Sequence, residues 1–431
     1  MEIVEGTKRR KWYSLMDKIW AMPNLSAAFK EVKANKGAPG VDKVTIKAYE
    51  SKLEDNLRAL QTALRTKCYI PKPVRRVYIA KSDGSQRPLG IPAVVDRIAQ
   101  AAVKRILEPI FEDKFSERSY GFRPGRSAHM AIGTIRKDLL EGYSYVIDAD
   151  LKSYFDTIPH DRLLKEVREE VVDGSVLKIL ESFLKAGVLE NGVVHESDLG
   201  SPQGGVCSPL LANIYLHSLD KLMEERGHRM TRYADDFVVC CRTRKGAERV
   251  LKSIIGYLEE ELELKVHPEK TKIVNAREET FIFLGHAFKP GGWITPSSKA
   301  IKKFKERTKE ITRRNQTVQV STLVKKVLNP YVRGWGNYYG GGDSKTLFAQ
   351  LDAWIRRRLR MVQMRSWRKA RRLLREMRRR GWKGELTSIR MTAWRNSKCK
   401  HAHYAMPNQW FEDIGLCSLV DIYNFQHPQR G

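Results

Sequence analysis

Alternating apolar and polar positions predict a short strand over residues 145–151. A period of two places Asp148 and Asp150 on one face of this strand and its apolar side chains on the other. A second segment, residues 232–241, predicts a β-hairpin with residues 234–236 at its tip. The strand can therefore deliver a further carboxylate to the acidic tip of the hairpin.

The tip of this hairpin is chemically unusual, because Asp235 and Asp236 are adjacent acids followed directly by apolar strand residues. Like charges repel, and an apolar setting makes each carboxylate costly to keep ionised. The tip also lacks the Asn-Gly or Gly-Gly pair that a relaxed two-residue turn prefers. Local rules tend to break at functional sites, and paired carboxylates hold hard cations such as Mg²⁺. A solvated turn is the alternative for an isolated pair of aspartates.

Two other segments have features suited to a nucleotide. Residues 78–92 predict a strand, an Asp-Gly turn and a second strand, with Lys81 and Arg87 on either side of the turn. These cations can converge on one phosphate-bearing ligand, although surface hairpins often carry such residues. Residues 200–209 are rich in glycine and lead into a periodic helix over 210–222. Such an entry allows a nucleotide to approach the backbone closely, but it can equally be an ordinary loop.

The charge of the chain indicates a polyanionic partner. The net charge is +29 at pH 7, and the isoelectric point is near 9.9. The excess is concentrated in residues 299–380, which contain 25 lysines and arginines against 5 acids. A soluble protein with this charge is expected to bind nucleic acid, whereas a shorter basic run could be only a solvated helical face.

The basic region follows a predicted linker, residues 289–298, and has helical periodicity. Tyr331, Trp335 and Tyr338 or Tyr339 recur at helical spacing, which favours packing. Four arginines mostly occupy the faces between the apolar positions of the next helix and are predicted to face RNA: Arg356, Arg357, Arg358 and Arg360.

Composition limits the class of protein. A chain of 431 residues, 42% hydrophobic and 30% charged, can bury a large core and is expected to form two to four domains. The six cysteines have no paired spacing, and no apolar run is long enough to cross a bilayer. The first residues, Met1 to Glu5, lack the order of a signal peptide. These features predict a globular protein of the cytoplasm without membrane contact.

The motifs, in this order, resemble the reverse transcriptases encoded by group II introns over nearly the whole chain. Tyr-Ala-Asp-Asp at 233–236 looks like their metal-binding hairpin, and Asp-Leu-Lys-Ser-Tyr-Phe-Asp at 150–156 resembles their first aspartate motif. Ser-Pro-Gln-Gly-Gly at 201–205 is similar to their nucleotide-pocket motif. Residues 329–339 and 354–360 resemble their maturase, or X, domain.

The resemblance implies an α+β fold. It is a right-hand polymerase, with fingers and a palm of antiparallel sheet and helices, followed by an all-helical maturase or thumb domain. The expected boundaries are 1–296 for fingers and palm, with an N-terminal extension over about 1–65, then 297–380 for the maturase domain and 381–431 for a small basic DNA-binding segment. That last segment lacks the His-Asn-His and paired-cysteine signature of an intron endonuclease, as in compact bacterial members.

The resemblance also assigns the catalytic group. Asp150 matches the first catalytic aspartate, and Asp235 and Asp236 match the hairpin pair; Asp148 and Asp150 cannot be separated on strand geometry alone. The implied metal site comprises Asp150, Leu151, Asp235 and Asp236 and holds two Mg²⁺ ions, with Mn²⁺ as a substitute. Phosphoryl transfer needs chiefly alignment and charge neutralisation, which such a site supplies.

The remaining implied roles concern nucleotide, primer and RNA. The residues that match the family's nucleotide-binding positions are Lys81, Arg87, Phe155, Gln203 and Lys270. Phe155 falls where the family keeps a steric gate against a ribose 2′-hydroxyl. Leu284 and Gly285 lie in the turn that matches the primer grip.

The expected substrates are dNTPs, and the expected partners are the host intron RNA, an RNA template with a DNA primer, and a DNA target. Two alternatives remain open. One is a related bacterial reverse transcriptase, of the retron or diversity-generating type, without a splicing role. The other is a splicing-only RNA-binding maturase that retains a polymerase fold without turnover. The sequence leaves the oligomeric state open.

Overall fold

The computed structural model of the chain describes residues 11–80, 86–190, 192–195, 199–200, 204–315, 317–367, 369–385 and 400–428. The chain forms two compact units, Met1–Asn275 and Ala276–Gly431. The boundary between the two units lies before position 296, the predicted end of the palm. The division into three functional domains remains a prediction. In the ranges given above, no helix is long and apolar enough to cross a membrane.

The first unit combines helices with short strands. Its elements in chain order are α1 (Met16–Trp20), α2 (Met22–Ala34), α3 (Ile46–Glu50), α4 (Leu53–Arg65), β1 (Val74–Ala80), β2 (Gln86–Ile91), α5 (Val94–Glu112), α6 (Ala128–Leu140), β3 (Tyr145–Ala149), α7 (Tyr154–Thr157), α8 (His160–Arg168), α9 (Gly174–Leu184), β4 (Val188–Glu190), β5 (Val193–His195), α10 (Ser208–Glu225), β6 (Arg229–Tyr233), β7 (Asp236–Cys241), α11 (Arg244–Gly256) and β8 (Lys272–Asn275). A π-helical turn, Tyr257–Glu261, continues α11.

One sheet of this unit has the strand order β2-β1-β4-β5. β1 and β2 are antiparallel, with Ala80 opposite Gln86, which confirms the predicted hairpin. The turn that joins them, residues 81–85, lies outside the described residues, and so does the predicted nucleotide contact Lys81. β4 pairs with β1 in parallel, which adds the β4–β5 hairpin to the same sheet.

The second sheet has the strand order β6-β7-β3-β8, and its pairs are all antiparallel. β3 is therefore a central strand with a neighbour on each side. Val146, Ile147 and Ala149 of β3 are buried, whereas Asp148 is only half-buried. β6 and β7 form the predicted acidic hairpin, which the structure confirms.

Helix α10 packs beside this sheet because most of its side chains are apolar on the faces turned inward. Leu210, Leu211, Ile214 and Leu219 of this helix are almost completely buried. Four polar residues of α10 are also buried, and the two least exposed are Asn213 at 1% and Asp220 at 2%. Buried polar groups need partners, so these two residues point to a hydrogen-bonded network behind the sheet.

The second unit begins with a three-stranded sheet and continues as helices. Its elements are β9 (Phe281–Phe283), β10 (His286–Lys289), β11 (Trp293–Pro296), α12 (Ser298–Ile311), α13 (Val320–Leu323), the π-helical turn Val324–Leu328, α14 (Asn329–Tyr339), α15 (Lys345–Trp367), α16 (Ala370–Arg379), α17 (Lys400–Ala405), α18 (Asn408–Asp413) and α19 (Leu419–Gln426). The sheet order is β11-β10-β9.

The prediction of a linker over 289–298 is wrong in part. This segment contains β11, which pairs antiparallel with β10, and Ser297, which caps α12. Gly291 and Gly292 have positive φ angles of 85° and 80° and form the turn of the hairpin. Glycine tolerates this conformation, so the glycine pair marks a tight turn here rather than a flexible connection.

The helices of the second unit share one apolar core. Phe304 of α12 stacks on Tyr331, with ring centroids 5.5 Å apart, and lies 4.4 Å from the ring of Trp335. The expectation that the periodic aromatics serve packing is confirmed. Phe411 and Leu419 belong to the same core, so α18 and α19 pack with the preceding helices.

Candidate active site

Strand register brings the aspartates of the first unit together. In the antiparallel pair of β3 and β7, Ala149 lies opposite Phe237. The next position along this register sets Asp150 opposite Asp236. Asp148 also lies on β3, opposite Val238. Two residues 86 positions apart in the chain, Asp150 and Asp236, are therefore neighbours because of strand pairing, as the sequence analysis expected.

The backbone around Asp150 is held by the segment 265–267. The amide of His267 donates a 2.8 Å hydrogen bond to the carbonyl oxygen of Asp150, and the amide of Lys152 donates a 2.8 Å bond to the carbonyl of Lys265. Leu151 forms an isolated β-bridge in the same place, and its side chain is buried in the core. A metal-binding role for Leu151 can therefore involve only its main-chain carbonyl.

The turn of the β6–β7 hairpin is tight. Tyr233 pairs with Asp236, which leaves Ala234 and Asp235 as the two residues of the turn. Ala234 has a φ angle of 59°, in the left-handed region that non-glycine residues rarely adopt. Such strain persists where the surroundings enforce it, and it is frequent at functional sites.

Two carboxyl groups of the site have raised pKa values. The pKa of Asp236 is raised to about 6, chiefly because the surrounding protein removes hydration, and further by the charges of Asp235, Asp150 and Asp148. Its side chain nevertheless keeps contact with solvent at the edge of the site. The pKa of Asp148 is also raised to about 6, by desolvation and by Asp150, against the opposing effect of Lys272. A concentration of carboxylates at one place is costly unless a cation joins them.

Lys270 supplies one such cation. Its Nζ atom lies 2.6 Å from Oδ2 of Asp150. The lysine side chain is 62% exposed, so the pair lies at the surface of the site. The sequence analysis placed Lys270 near the triphosphate, and the structure places it on the first aspartate of the site.

The donor set suits a hard divalent ion, because carboxylate oxygens are the ligands that Mg²⁺ prefers. In the part of the chain that the structure describes, however, no three His, Cys, Asp or Glu side chains are arranged as a metal-binding cluster. The ammonium of Lys270 lies on Asp150 in this arrangement. The residues therefore fit the chemistry of a metal site, and closing it around an ion requires local movement of side chains.

A buried arginine holds the strained turn from behind. Arg232 is 0% exposed, and one of its terminal nitrogens donates 2.9 Å hydrogen bonds to the carbonyl oxygen of Ala234 and to Oδ1 of Asn213. Its Nε donates to Oδ1 of Asp220 at 2.8 Å, and a second bond to Oδ2 makes the ion pair bidentate. Burial alone lowers the pKa of Arg232, but the Asp220 carboxylate outweighs this effect and raises it.

The same network reaches the loop that follows α5. Nδ2 of Asn213 donates a 2.8 Å bond to the carbonyl oxygen of Gly121. A Cβ atom on Gly121 would lie 2.2 Å from the backbone nitrogen of Ala234, so only glycine fits against the turn. Arg232, Asn213 and Gly121 belong to the site but were not predicted as site residues from the sequence. The available signal was the pair Asn213 and Asp220, which lie seven positions apart and so on the same face of a helix.

The predicted steric gate lies next to the aspartate strand. Phe155 is on the short helix α7 and is 9% exposed. Its ring makes an edge contact with Tyr154, with centroids 5.4 Å apart, and the Tyr154 hydroxyl donates a 2.6 Å bond to the carbonyl of Ala212. α7 is therefore anchored to α10, which fixes the position of Phe155.

The glycine-rich segment approaches two neighbouring backbones closely. A Cβ atom on Gly204 would lie 2.2 Å from the carbonyl oxygen of Gly90 in β2, and one on Gly200 would lie 2.8 Å from the backbone of Asp156. Gln203, predicted to bind the nucleotide, lies outside the described residues, as does the side chain of Arg87. The backbone of Arg87 pairs with Ile79.

The predicted primer grip is a two-residue turn between β9 and β10 in the second unit. Leu284 and Gly285 have positive φ angles of 48° and 77°, as a type I′ turn requires. The hydroxyl of Tyr338 donates a 3.0 Å bond to the carbonyl of Leu284, and the amide of Ser297 donates a 2.9 Å bond to the carbonyl of Gly285. Leucine in this conformation is strained, and these bonds hold it there.

The four arginines predicted to face RNA do not behave alike. Arg360 is 5% exposed; its Nε donates a 3.0 Å bond to the carbonyl of Met406, and its guanidinium lies 4.9 Å from the ring centre of Phe411. The prediction that Arg360 faces RNA is therefore wrong, because the later helices cover it. Arg358 is half-buried and binds the backbone at the end of α12, whereas Arg357 is exposed.

Comparison with known proteins gives two family matches. Residues 79–288 match the model of reverse transcriptase (RNA-dependent DNA polymerase). Residues 301–382 match the model of the group II intron maturase-specific domain. The two matches occur in the order that the motifs predict.

Individual relatives agree with these matches. The chain is 39% identical to Protein YkfC of Escherichia coli (strain K12) over 302 residues, which cover 61% of this chain and 79% of that protein. It is 41% identical to the group II intron-encoded protein LtrA of Lactococcus lactis subsp. cremoris over 199 residues. That match covers 46% of this chain and only 33% of LtrA.

Among solved structures, the chain is similar to a partial Cas6-RT-Cas1--Cas2 complex, with 24% identity and a TM-score of 0.37. That match covers 61% of this chain and 46% of the solved one. It is also similar to apo telomerase from Candida tropicalis, with 16% identity and a TM-score of 0.43, over 56% of this chain and 60% of the other.

Proposed function

Because the chain belongs to the reverse transcriptases encoded by group II introns and carries their maturase-specific domain, we propose that it copies its host intron RNA into DNA and assists the splicing of that RNA. The observation that best supports polymerase activity is the strand register, which sets Asp150 opposite Asp236 at the tip of a strained acidic hairpin. Asp148 and Asp235 complete a group of four carboxyls, and the charges of the other three help to raise the pKa of Asp236.

Asp150 and Asp235, with Asp236 beside them, would hold two Mg²⁺ ions, with Mn²⁺ as a substitute. Ions bound there would favour ionisation of the primer 3′-hydroxyl and would neutralise the triphosphate and the leaving pyrophosphate. The protein residues contribute alignment. The buried Arg232 fixes the turn that carries Asp235, and the pairing of β3 with β7 fixes Asp150.

Lys270 has two roles in this proposal. In the first role its ammonium neutralises Asp150, through a 2.6 Å hydrogen bond from Nζ to Oδ2. When a dNTP binds, the exposed lysine side chain exchanges Asp150 for the oxygens of the triphosphate. Lysine suits such an exchange, because its charge is compact and its stem is flexible.

The remaining nucleotide contacts follow from the resemblance. Phe155 would exclude a ribose 2′-hydroxyl, and its anchored position beside the aspartate strand supports this role. Lys81, Arg87 and Gln203 would bind the triphosphate and the base pair. Leu284 and Gly285 would hold the primer strand.

The intron RNA is the proposed partner of the basic second unit. The maturase-specific match covers most of the segment that contains 25 basic and 5 acidic residues. Arg357 is exposed on α15 and remains a candidate for phosphate contact, together with its half-buried neighbour Arg356. A DNA target and retrohoming complete the proposal, with residues 381–431 as the DNA-binding segment.

Extension of a DNA primer on an RNA template in the presence of Mg²⁺ tests the polymerase. Asp235→Ala removes a proposed metal ligand, whereas Asp161→Ala removes an acid from the first turn of α8 and serves as the control. Extension by the unmodified protein and by the control, but not by Asp235→Ala, is the expected result. Tight RNA binding by all three proteins without any extension would support the splicing-only alternative instead.

A further inference from the structure

A cluster of cationic side chains lies at one end of the sheet that contains β6, β7 and β3. The aspartates lie at the other end of these strands. Arg229 begins β6 and lies opposite Cys240, near the end of β7, whereas Tyr233 and Asp236 meet at the other end. With a rise of about 3.3 Å per residue, the two ends of β7 are roughly 16–20 Å apart. A cavity of about 420 Å³ opens at the end remote from the aspartates.

Two arginines in the cavity wall use the same aromatic ring. The guanidinium carbons of Arg229 and Arg242 lie 4.1 Å and 4.7 Å from the ring centre of Tyr143. The neighbouring Arg242 is the main reason why the pKa of the Tyr143 hydroxyl is lowered. Stacking on a ring orients a planar guanidinium and leaves its edge N–H groups available to another ligand.

The charge of the cavity comes from two of its three arginines. Arg229 is neutralised by ion pairs to Asp138 and Glu141. Among the residues that the structure describes, Arg242 and Arg249 have no carboxylate within ion-pair distance, although both line the cavity. Both are exposed, so the cavity presents two uncompensated guanidiniums to solvent.

Helix α11 adds a weaker positive field from the same side. It runs for 13 residues from Arg244, and its cap residue Thr243 lines the cavity. The Thr243 hydroxyl accepts a 3.1 Å bond from the amide of Gly246, which satisfies one amide of the first turn. The other amides of the first turn carry the positive end of the helix dipole, which favours an anion.

The remaining groups of the wall exclude covalent chemistry. Burial raises the pKa of the Cys241 thiol to about 11 and that of Cys240 still further, so neither thiol is a nucleophile near neutral pH. Burial and the nearby Arg226 lower the pKa of His228, which keeps this imidazole neutral. The cavity is therefore suited to binding and not to catalysis.

We propose that this cavity binds a phosphate group of an RNA backbone, with Arg242 and Arg249 as the recognising residues and Tyr143 as the platform that orients Arg242. The proposal rests on the RNA-binding function proposed above and adds a phosphate site remote from the aspartates. Guanidinium groups match the bidentate geometry of phosphate oxygens. Among the residues that the structure describes, the wall contains no Asn, Gln, Asp or Glu, and the guanidiniums of Arg229 and Arg242 already lie on the Tyr143 ring. The chemistry thus favours the backbone over a base.

The test compares two double variants of the full-length protein that each remove two positive charges. Arg242→Ala/Arg249→Ala empties the cavity of its free cations. Lys245→Ala/Lys252→Ala changes two exposed lysines of α11 that do not line the cavity. Affinity for a labelled single-stranded RNA is measured by fluorescence anisotropy over a series of KCl concentrations.

The arginine variant should bind RNA at least about fivefold more weakly than the lysine variant at moderate salt. Its log–log salt dependence should be shallower than that of the unmodified protein by roughly 0.7, the value for one phosphate contact on a single strand. The rate of extension on a saturating template-primer should stay unchanged, because the site is remote from the aspartates. Equal affinity of the two variants would overturn the proposal.

A further arm separates an RNA phosphate from a small phosphate. Thermal stability of each protein is measured with and without inorganic phosphate and dATP. Stabilisation by these ligands that is lost in the arginine variant, with RNA affinity unchanged, would overturn the RNA assignment. An unmodified protein without RNA affinity would overturn the proposed function itself, so the two failures are distinguishable.

Discussion

The guanidinium of Arg232 donates a 2.9 Å hydrogen bond to the carbonyl oxygen of Ala234, the residue whose left-handed conformation turns the acidic hairpin. Asp220 balances the charge of Arg232, and both side chains are almost completely buried. The position of Asp235 thus depends on an ion pair beneath the turn.

Asp220→Asn should destabilise the protein strongly, because it leaves the buried charge of Arg232 without a counter-charge. The expected cost is about 3–5 kcal/mol in the free energy of unfolding. Glu248→Gln breaks the exposed pair with Arg244 and should cost less than about 1 kcal/mol. Chemical denaturation of the two variants measures this difference. Similar losses in the free energy of unfolding would show that the buried ion pair contributes no more to stability than the exposed one.

Gly121→Ala should have a larger effect on the rate of primer extension than on the free energy of unfolding. The added Cβ would lie 2.2 Å from the amide nitrogen of Ala234, so the hairpin turn must shift, and Asp235 must shift with it. We expect a loss of roughly tenfold or more in the rate, since small misplacements of catalytic groups can cost 10²-fold. Gly133→Ala, in α6, meets no atom within 4 Å and should leave the rate unchanged. Full activity of Gly121→Ala would show that the close approach of Gly121 to Ala234 is not needed for primer extension.

Asp148→Asn should stabilise the metal-free protein near neutral pH. The pKa of Asp148 is raised from 3.8 to about 6 in the folded state, so the folded protein holds a proton that the unfolded chain has released between these values. Stability from this group is therefore present at low pH and is lost as the pH rises through about 6. The asparagine variant should show a smaller decrease in melting temperature between pH 5 and pH 7, measured in EDTA.

The same variant separates the two aspartates of β3. If Asp150 is the metal ligand and Asp148 is not, Asp148→Asn should keep most of its primer extension, whereas Asp150→Asn should lose it. Loss of extension in both variants would assign Asp148 to the metal site as well. A pH dependence of stability identical to that of the unmodified protein would contradict the raised pKa.

Phe155→Ala should admit ribonucleotides more readily. Removing the ring opens space at the position proposed for the ribose 2′-hydroxyl, and discrimination between dNTP and rNTP, taken from kcat/KM, should decrease by roughly tenfold or more, the equivalent of about 1.4 kcal/mol. Tyr154→Phe removes only the hydroxyl that binds the Ala212 carbonyl and should leave discrimination intact. Unchanged discrimination in Phe155→Ala would remove Phe155 from the gate role.

The acidic hairpin, the strand before Asp150 and the fingers hairpin were predictable from the sequence, because each depends on local alternation and on the chemistry of adjacent side chains. The periodic aromatics of the second unit were predictable for the same reason. The burial of Arg360 was not predictable from the sequence, because Met406 and Phe411, which cover it, lie about 50 positions further along the chain. The glycines of residues 289–298 permit both a flexible connection and a tight turn, so the sequence alone does not distinguish a linker from a hairpin here.

The sequence by itself determined the type of chemistry at the candidate site: hard carboxylate donors, cations for phosphate and a basic surface for RNA. These properties belong to residue types and to their order along the chain. Only the tertiary structure decided that Asp150 lies opposite Asp236, that Lys270 lies on Asp150, and that the pair of Arg232 and Asp220 supports the turn. Such contacts join residues far apart in the chain, so they depend on strand register and helix packing, which local periodicity does not specify.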